Sequence, residues 1–353
     1  METFIELLPK AELHVHIEGC MEPSLVLKLA QRNQVDFLYT LSELTERRNH
    51  IKDFRSFAEE FYLACSVLLQ EEDFYDLAME YFSRCSAENV KYCEVFVNTA
   101  IHSRRGLTHN QVMAGLQRAA QQAKRDYGLE AKWILTLIKD CPVQENLEMI
   151  HQAALNPLNI IGVGLAGPEE GYCSEMAELI KTAKDSGLCG PKGVNVTAHA
   201  GEVGSPYYVI DAVSSLLARR IDHGVRSFED PCLMEFLKTC RIPVTSCPLS
   251  NIALKVLDRF CEGKHIVRKF LESGVCVSVH SDDPAFFGGD ILANFYKILQ
   301  EDFADLSTQE LEHCFTELCA NSFKSAFLDS EQRDHYISEV YNVAKLNRHI
   351  LYD

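Results

Sequence analysis

Positive charge is scarce in this sequence, whose 353 residues carry 34 Lys and Arg against 51 Asp and Glu, a net charge of −17 at pH 7. A nucleic-acid partner requires a basic surface that displaces counterions from phosphates, so the composition argues against one. It argues equally against binding to an anionic membrane surface. No apolar run approaches the roughly 18 residues that a membrane-spanning helix needs. The acidic first residues also lack the basic and then apolar pattern of a signal peptide.

Cysteine is present without the spacings that would give it a special role. The 14 cysteines form no Cys-x-x-Cys pair and no regular series. Disulfide frameworks are typical of small secreted chains, so we interpret these cysteines as small core residues in a reducing compartment. We therefore expect a cytoplasmic protein. A hydrophobic content of 47% and a charged content of 24% describe a globular chain with a large core.

Eight short β-branched runs alternate with helical patterns along the chain. They cover residues 11–17, 90–98, 131–139, 160–167, 193–200, 220–224, 242–247 and 275–279. Strands joined by helical crossovers indicate a parallel sheet, and eight of them favour an α/β fold of the (β/α)8 TIM barrel type. Extra helices are predicted after the first strand and at the C-terminus. No Gly-x-Gly-x-x-Gly opens the first helix, which argues against a dinucleotide-binding fold. No linker divides the chain, so we predict one domain over residues 1–353.

Polar side chains collect where the predicted strands end, which is where barrel enzymes carry their catalytic residues. These side chains are those of His14, His16, His199, Glu202, His223, Asp282 and Asp283, and Gly167 stands at the end of the fourth strand with only its backbone to offer. Because His14 and His16 are two apart on a strand, both imidazoles point to the same face. Taken singly, a histidine in a barrel is usually a hydrogen-bonded core residue, and an Asp-Asp-Pro sequence usually closes a strand as a turn.

Taken together, His14, His16, His199 and Asp282 are a set that zinc prefers, with three imidazoles and one carboxylate at one barrel mouth. A second metal would need a bridging side chain at the end of the fourth strand. That position has Leu-Ala-Gly at residues 165–167, which offers none. We therefore predict one Zn²⁺ per chain.

Four motifs follow one another along the chain. They are Leu-His-Val-His-Ile-Glu-Gly at 13–19, Thr-Ala-His-Ala-Gly-Glu-Val-Gly at 197–204, Arg-Ile-Asp-His-Gly-Val-Arg at 220–226 and Ser-Asp-Asp-Pro at 281–284. Together they resemble the adenosine/adenine deaminase family of the amidohydrolase superfamily, and the likeness extends from about residue 8 to residue 328. The resemblance implies a metal-dependent enzyme that removes the 6-amino group of a purine by hydrolysis.

The resemblance also implies a role for each site residue. The metal lowers the pKa of a water molecule, which attacks C6 of the purine. Glu202 gives a proton to N1, and it should therefore be protonated when substrate binds. His223 and Asp283 orient the attacking water and accept its proton. Asp283 also contacts N7, and the backbone N–H of Gly167 contacts N3.

Glu18 bears on the choice of substrate. Residues 71–77, 220–231, 247–251 and 281–289 resemble the adenine deaminase branch, whereas the nucleoside enzymes tend to have Asp, facing the ribose, at the position of Glu18. A longer Glu would fill ribose space and accept a hydrogen bond from N9–H of a free base. We therefore predict that adenine is converted to hypoxanthine, with adenosine as an alternative substrate.

Two segments depart from the adenine deaminase branch, at residues 98–106 and 164–169. Both are more similar to the aminodeoxyfutalosine deaminases, whose substrate carries a benzoate. Arg104 or Arg105 could hold such a carboxylate bidentately, although paired arginines are often solvated surface residues. Two other classes also remain, another mononuclear barrel amidohydrolase and a binding protein without activity. The presence of Glu202 disfavours the first, and the complete set of ligands disfavours the second.

Overall fold

Eight parallel strands form the centre of the computed structural model, which describes residues 1–169, 174–189 and 193–352. The strands pair in chain order from the first to the eighth. They are β1 (Lys10–His16), β2 (Val90–Val97), β3 (Glu130–Ile138), β4 (Ile160–Ala166), β5 (Asn195–Ala200), β6 (Arg220–His223), β7 (Val244–Ser246) and β8 (Val277–Val279). The predicted α/β barrel is confirmed, and all eight strands begin and end within two residues of the predicted bounds.

The barrel closes between its first and last strands through residues just beyond β8. Val15 and Asp282 form a parallel bridge. The N–H of His16 donates to the carbonyl of Asp282 over 2.9 Å, and the N–H of Asp282 donates to the carbonyl of His14 over the same distance. The first and last strands of the barrel are therefore joined at the level of the predicted metal site.

Helices surround the strands. Within the described residues they are α1 (Glu2–Leu7), α2 (Pro23–Arg32), α3 (Leu41–Asn49), α4 (Phe54–Cys65), α5 (Glu71–Ala87), α6 (Ala100–Ser103), α7 (His109–Tyr127), α8 (Val143–Leu155), α9 (Ser174–Asp185), α10 (Pro206–Ser214), α11 (Pro231–Thr239), α12 (Pro248–Ala253), α13 (Val256–Phe260), α14 (Val267–Glu272), α15 (Pro284–Phe287), α16 (Ile291–Glu301), α17 (Thr308–Ser325) and α18 (Ser330–Asn347). Four of them, α2 to α5, separate β1 from β2, and α17 packs against β1 and β8. The predicted insert and helical tail are both present.

The barrel interior below the site is filled by buried side chains, some of them charged. Arg220 and Glu94 are both fully buried, with Nη1 and Oε2 2.5 Å apart. Such a pair persists because removing either charge would leave the other buried and uncompensated. Gly164 of β4 faces the Phe96 ring, and a Cβ there would lie 2.3 Å from Phe96 Cε1. Glycine in this strand therefore serves packing.

The interpretation of all cysteines as core residues holds only in part. Within the described residues every cysteine is a free thiol, but Cys232 and Cys240 are exposed and are not core residues. Within residues 1–169, 174–189 and 193–352, every helix is too short or too polar to span a lipid bilayer. The organisation of residues 1–353 as a single domain stays a prediction.

Candidate active site

Four potential metal ligands meet at the carboxyl end of the barrel: His14, His16, His199 and Asp282. The Nε2 atom of His199 lies 3.1 Å from that of His14 and 3.3 Å from that of His16. Asp282 Oδ1 lies 3.4 Å from His14 Nε2 and 3.5 Å from His16 Nε2. A tetrahedral zinc ion with bonds of about 2.0–2.1 Å separates its ligand atoms by roughly 3.3 Å. The donor set that the sequence predicted therefore fits one such ion.

The backbone explains how these side chains converge. His14 and His16 share a face of β1 because side chains two apart on a strand point the same way. Asp282 has a φ of 64°, which is uncommon for a residue with a Cβ. Its main-chain hydrogen bonds to His14 and His16 hold it there, and its carboxylate consequently stands beside both imidazoles.

A second group of residues orients the histidines from below. Thr245 Oγ1 lies 3.0 Å from His14 Nδ1 and donates to Asp222 Oδ1 over 2.8 Å. Asp222 Oδ2 lies 3.6 Å from His199 Nδ1 and accepts a hydrogen bond from Thr197. Partners of this kind on Nδ1 fix the ring orientation and direct Nε2 toward a metal.

Glu202 lies in the turn after β5, within reach of the same cavity. Asn251 Nδ2 donates to its Oε1 over 3.4 Å, and His223 Nδ1 lies 3.7 Å from that oxygen. Burial raises the pKa of Glu202 well above its usual range, and the nearby Asp282 and Glu169 carboxylates raise it further. Surroundings of this kind favour the protonated carboxyl group, which is the form that a general acid needs.

His223 ends β6 with a φ of 68°, which turns its ring into the cavity. Its Nδ1 accepts from Asn251 Nδ2 over 3.3 Å, and its Nε2 lies 3.9 Å from Asp282 Oδ2. Burial, together with His14, lowers the pKa of His223 to about 3, so the ring is neutral. A neutral imidazole can exchange a proton with a water molecule held beside Asp282.

Asp283 is buried next to Asp282 and to the turn that follows β1. Burial raises its pKa well above the usual range, and the Asp282 carboxylate adds to the shift. Within the described residues its Oδ1 has no hydrogen-bond partner. A buried polar atom of this kind normally finds a partner in a ligand or in water.

Gly19 gives Asp283 its space, and this leads to a test. A Cβ at position 19 would lie 2.0 Å from Asp283 Oδ1, so Gly19→Ala must displace that carboxyl group. We expect kcat to fall at least about tenfold and stability to fall by about 1–3 kcal/mol, as overpacking typically costs. Purine deamination rates and the thermal unfolding midpoint measure the two effects.

Gly128→Ala is the matched control for this substitution. Gly128 has a φ of 70° and open space around its Cα, remote from the site. Alanine there should cost about 1 kcal/mol of stability through backbone strain, with activity intact. Full activity in Gly19→Ala would show that the position of Asp283 is unimportant.

The site opens into a cavity of about 150 Å³. Its polar side chains are those of His16, Asp140, His199, Glu202, His223, Asp282 and Asp283, and the backbone of Gly167 also lines it. Its aromatic wall includes Phe54, Phe57, Phe61 and Tyr62 of α4. Gly167 has a φ of 96°, and a Cβ there would lie 3.2 Å from Asp140 Oδ1. The cavity is smaller than the roughly 300–1,000 Å³ of pockets that hold drug-sized ligands. It suits a small, flat molecule between an aromatic wall and the polar cluster.

Glu18 lies outside the lining of this cavity. Its side chain is 2% exposed, and its Oε1 accepts from His102 Nε2 over 2.9 Å and from the N–H of Asn98 over 3.4 Å. The carboxylate is thus held by partners within the protein. A direct contact of Glu18 with a purine stays a prediction.

The two arginines after β2 have separate protein partners. Arg104 is 59% exposed and pairs with Glu145 over 2.8 Å. Arg105 is half-buried and donates to the carbonyl of Ile101 and to the ring of His102. Neither lines the cavity, and each guanidinium group already has protein partners, although Arg105 Nε has none within the described residues. This arrangement gives no support to a carboxylate-binding role.

Sequence reasoning missed several residues that complete the site. Asp222 and Asn251 both lie in segments that resemble the family. The sequence therefore drew attention to these positions but did not indicate what the side chains do. Thr245 lies within β7, where nothing in the sequence distinguishes it from a core residue. The aromatic wall of α4 lies on a predicted helix, whose orientation over the barrel mouth has no sequence signal.

Comparison with known sequences identifies the family to which the chain belongs. The sequence model of the adenosine deaminase family matches residues 9–343. The adenine deaminase of Acinetobacter baylyi is 39% identical over 340 residues, which cover 96% of this chain and 98% of that protein. The adenine deaminase of Crocosphaera subtropica is 36% identical over 335 residues, covering 95% and 98%.

A solved structure agrees with these sequence comparisons. The crystal structure of adenine deaminase from Arthrobacter aurescens superimposes with a TM-score of 0.87 at 32% identity, covering 96% of this chain and 99% of that chain. The matches extend over nearly the whole barrel, including all four motifs and every strand end described above. The chain therefore belongs to the adenosine deaminase family, whose members are hydrolases acting on C–N bonds.

Proposed function

We propose that this protein is a zinc-dependent adenine deaminase, which hydrolyses adenine to hypoxanthine and ammonia with one zinc ion per chain. The observation that carries the proposal is the meeting of a zinc-type donor set with a buried carboxyl group of raised pKa on one small cavity. In this reaction a water oxygen bonds to C6, and the bond from C6 to the amino nitrogen breaks. The amino nitrogen takes up a proton and leaves as ammonia.

His14, His16, His199 and Asp282 would hold the ion. Zinc, when bound, lowers the pKa of a water molecule toward 7 and so provides a nucleophile at neutral pH. The end of β4 offers only Ala166 and Gly167 to the cavity, and neither has a side chain that could bridge to a second ion. This supports a mononuclear site.

Glu202 would give its proton to N1 of the purine. Attack at C6 pushes charge onto N1, so a proton donor there lowers the barrier of the difficult step. The hydrogen bond from Asn251 occupies Oε1 as an acceptor, which leaves Oε2 to carry the proton.

His223 and Asp283 would act on the other side of the ring. Neutral His223 accepts a proton from the attacking water, since its Nε2 lies beside Asp282. The raised pKa of Asp283 favours a protonated carboxyl group, which can donate to N7, a nitrogen that only accepts. A protonated Asp283 could not also accept the proton of the attacking water, so that expected role would fall to His223 alone. Gly167 would offer its backbone N–H to N3 from the cavity wall.

Adenine is the substrate that the relatives favour. The aromatic wall of the cavity also suits a flat purine base. The relatives quoted above from Acinetobacter baylyi and Crocosphaera subtropica carry the name adenine deaminase, and by the family resemblance Glu18 would face the ribose side.

The test is ammonia release from adenine, adenosine and aminodeoxyfutalosine, measured side by side on zinc-loaded enzyme. We expect the highest kcat/KM for adenine, by at least about 10², because a site built for N–H pairing rejects an analogue that lacks it. A higher kcat/KM for either larger substrate would contradict the proposed substrate and leave purine deamination in place. Absence of ammonia from all three would contradict the proposal as a whole.

A further inference from the structure

A chain of three polar side chains lies beside the candidate site and has no part in the mechanism above. Glu18 accepts from His102 Nε2 over 2.9 Å, and Arg105 Nη2 contacts His102 Nδ1. His102 belongs to α6, which directly follows β2, and it is fully buried. The chain therefore runs from the half-buried Arg105 through a buried ring to the turn after the metal-binding strand.

Arg105 determines which nitrogen of His102 carries the proton. A guanidinium group only donates, so His102 Nδ1 must accept. In the neutral ring the proton then lies on Nε2, which donates to Glu18. Burial lowers the pKa of His102, and the neighbouring Arg105 charge adds to this, so the ring is neutral. The Phe74 ring packs edge-on against it at 4.8 Å between centroids, which keeps it from rotating.

The bonds to Glu18 are arranged unequally between its two oxygens. Oε1 receives both His102 Nε2 and the N–H of Asn98. In the part of the chain that the structure describes, no donor reaches Oε2. A carboxylate fixed at one oxygen keeps the other as a free acceptor in a defined direction, and little conformational entropy is then lost when a ligand pairs with it.

We propose that His102, oriented by Arg105, is a positioning residue that fixes Glu18 and thereby selects a free purine base over its nucleoside. The inference rests on the proposed adenine deaminase function and adds the residues that determine its specificity. A base carries a hydrogen on N9, which can pair with the free Glu18 oxygen. A nucleoside carries a sugar there, so it offers no hydrogen and must displace a side chain that His102 holds in place.

The main experiment compares His102→Leu with His102→Gln. Leucine fills similar space but breaks both hydrogen bonds, whereas a glutamine amide can accept from Arg105 and donate to Glu18. In His102→Leu we expect kcat/KM for adenine to fall at least about tenfold through KM, as loss of a charged hydrogen bond typically causes. Adenosine turnover should stay within about threefold, so the ratio of adenine to adenosine falls. Glutamine should retain the ratio within about threefold.

Two neighbouring arginines supply the matched pair of variants. Arg105→Ala removes the group that orients His102 and should lower the same ratio. Arg104→Ala removes an exposed arginine paired with Glu145 and should leave the ratio and KM unchanged. Because Arg105 is only half-buried, this pair keeps the inference testable even where His102→Leu does not fold. Zinc content and the thermal unfolding midpoint are measured in every variant.

The results can distinguish failure of the proposed role of His102 from failure of the proposed adenine deaminase activity. An equal fall for both substrates, with the ratio unchanged in His102→Leu and Arg105→Ala, would overturn the inference, since a merely structural role affects both alike. A wild-type enzyme that prefers adenosine would overturn the proposed substrate, and the inference with it. A ratio that falls in Arg104→Ala as much as in Arg105→Ala would also overturn the inference.

Discussion

Glu202→Gln should retain metal and fold but lower kcat at least about 10²-fold, as removal of a positioned general acid typically does. The amide has the shape of the carboxyl group and can still donate a hydrogen bond to N1. It cannot give up a proton, so the reaction loses its acid while binding survives. Because the loss falls on the chemical step, KM for adenine should change by less than about threefold. Steady-state ammonia release and zinc content measure both.

Glu235→Gln is the control for this variant, because Glu235 is an exposed carboxylate of α11 whose partners, Lys238 and Thr239, lie on or next to the same helix. It should match the wild type in kcat, KM and unfolding midpoint. Activity of Glu202→Gln within about threefold of the wild type would assign the proton donor to another residue.

His199→Ala and Asp282→Ala should each release the metal, and with it all measurable activity. Each removes one ligand from a set of four, and the ligands lie too close together for a neighbour to substitute without moving backbone. We expect elemental analysis to find about one zinc per wild-type chain and less than about a tenth of that in either variant. Dialysis against a chelator should inactivate the wild type, and added zinc should restore it.

His50→Ala is the control, since His50 is an exposed histidine far from the cluster in sequence and outside it in the structure. It should bind zinc as the wild type does. Two metal ions per wild-type chain, or full occupancy in both ligand variants, would contradict the mononuclear site.

The fold and most of the site follow from rules that act locally along the chain. The alternation of β-branched runs with helices predicted all eight strands, because parallel strands buried on both faces must be apolar and must be joined by crossovers. Their carboxyl ends then identified His14, His16 and His199, since the period of two on a strand places the first pair on one face. These inferences needed no knowledge of how the strands pack.

Two site residues break that period, and their placement was beyond such rules. Strict alternation on β6 would put Asp222 and His223 on opposite faces of the barrel wall. The positive φ of His223 turns its ring inward, and both residues face the site. Asp282 likewise has a positive φ that tertiary hydrogen bonds maintain. Strain of this kind is held by the surrounding structure and has no signature in the residues themselves.

Glu18 shows a different limit of sequence reasoning. Its side-chain length indicates a role against the substrate, but its partner His102 lies 84 positions away, within residues 98–106, which depart from the pattern of the adenine deaminase branch. A contact between two loops depends on where both strands end in space. The side chain's environment, and hence the direction of its free oxygen, could be obtained only from the folded chain.

The bridge that closes the barrel has a consequence for how the protein holds together. Asp282 pairs with Val15 through its backbone and stands beside His14 and His16 through its carboxylate, although 266 positions separate it from His16. An ion bound there would act as a cross-link between the beginning and the end of the barrel, at the one seam where no full ladder joins neighbouring strands. Cross-links that close long loops restrict the unfolded chain most. Binding of the ion would therefore stabilise the closed barrel, and loss of the ion would weaken the contact between β1 and β8 first.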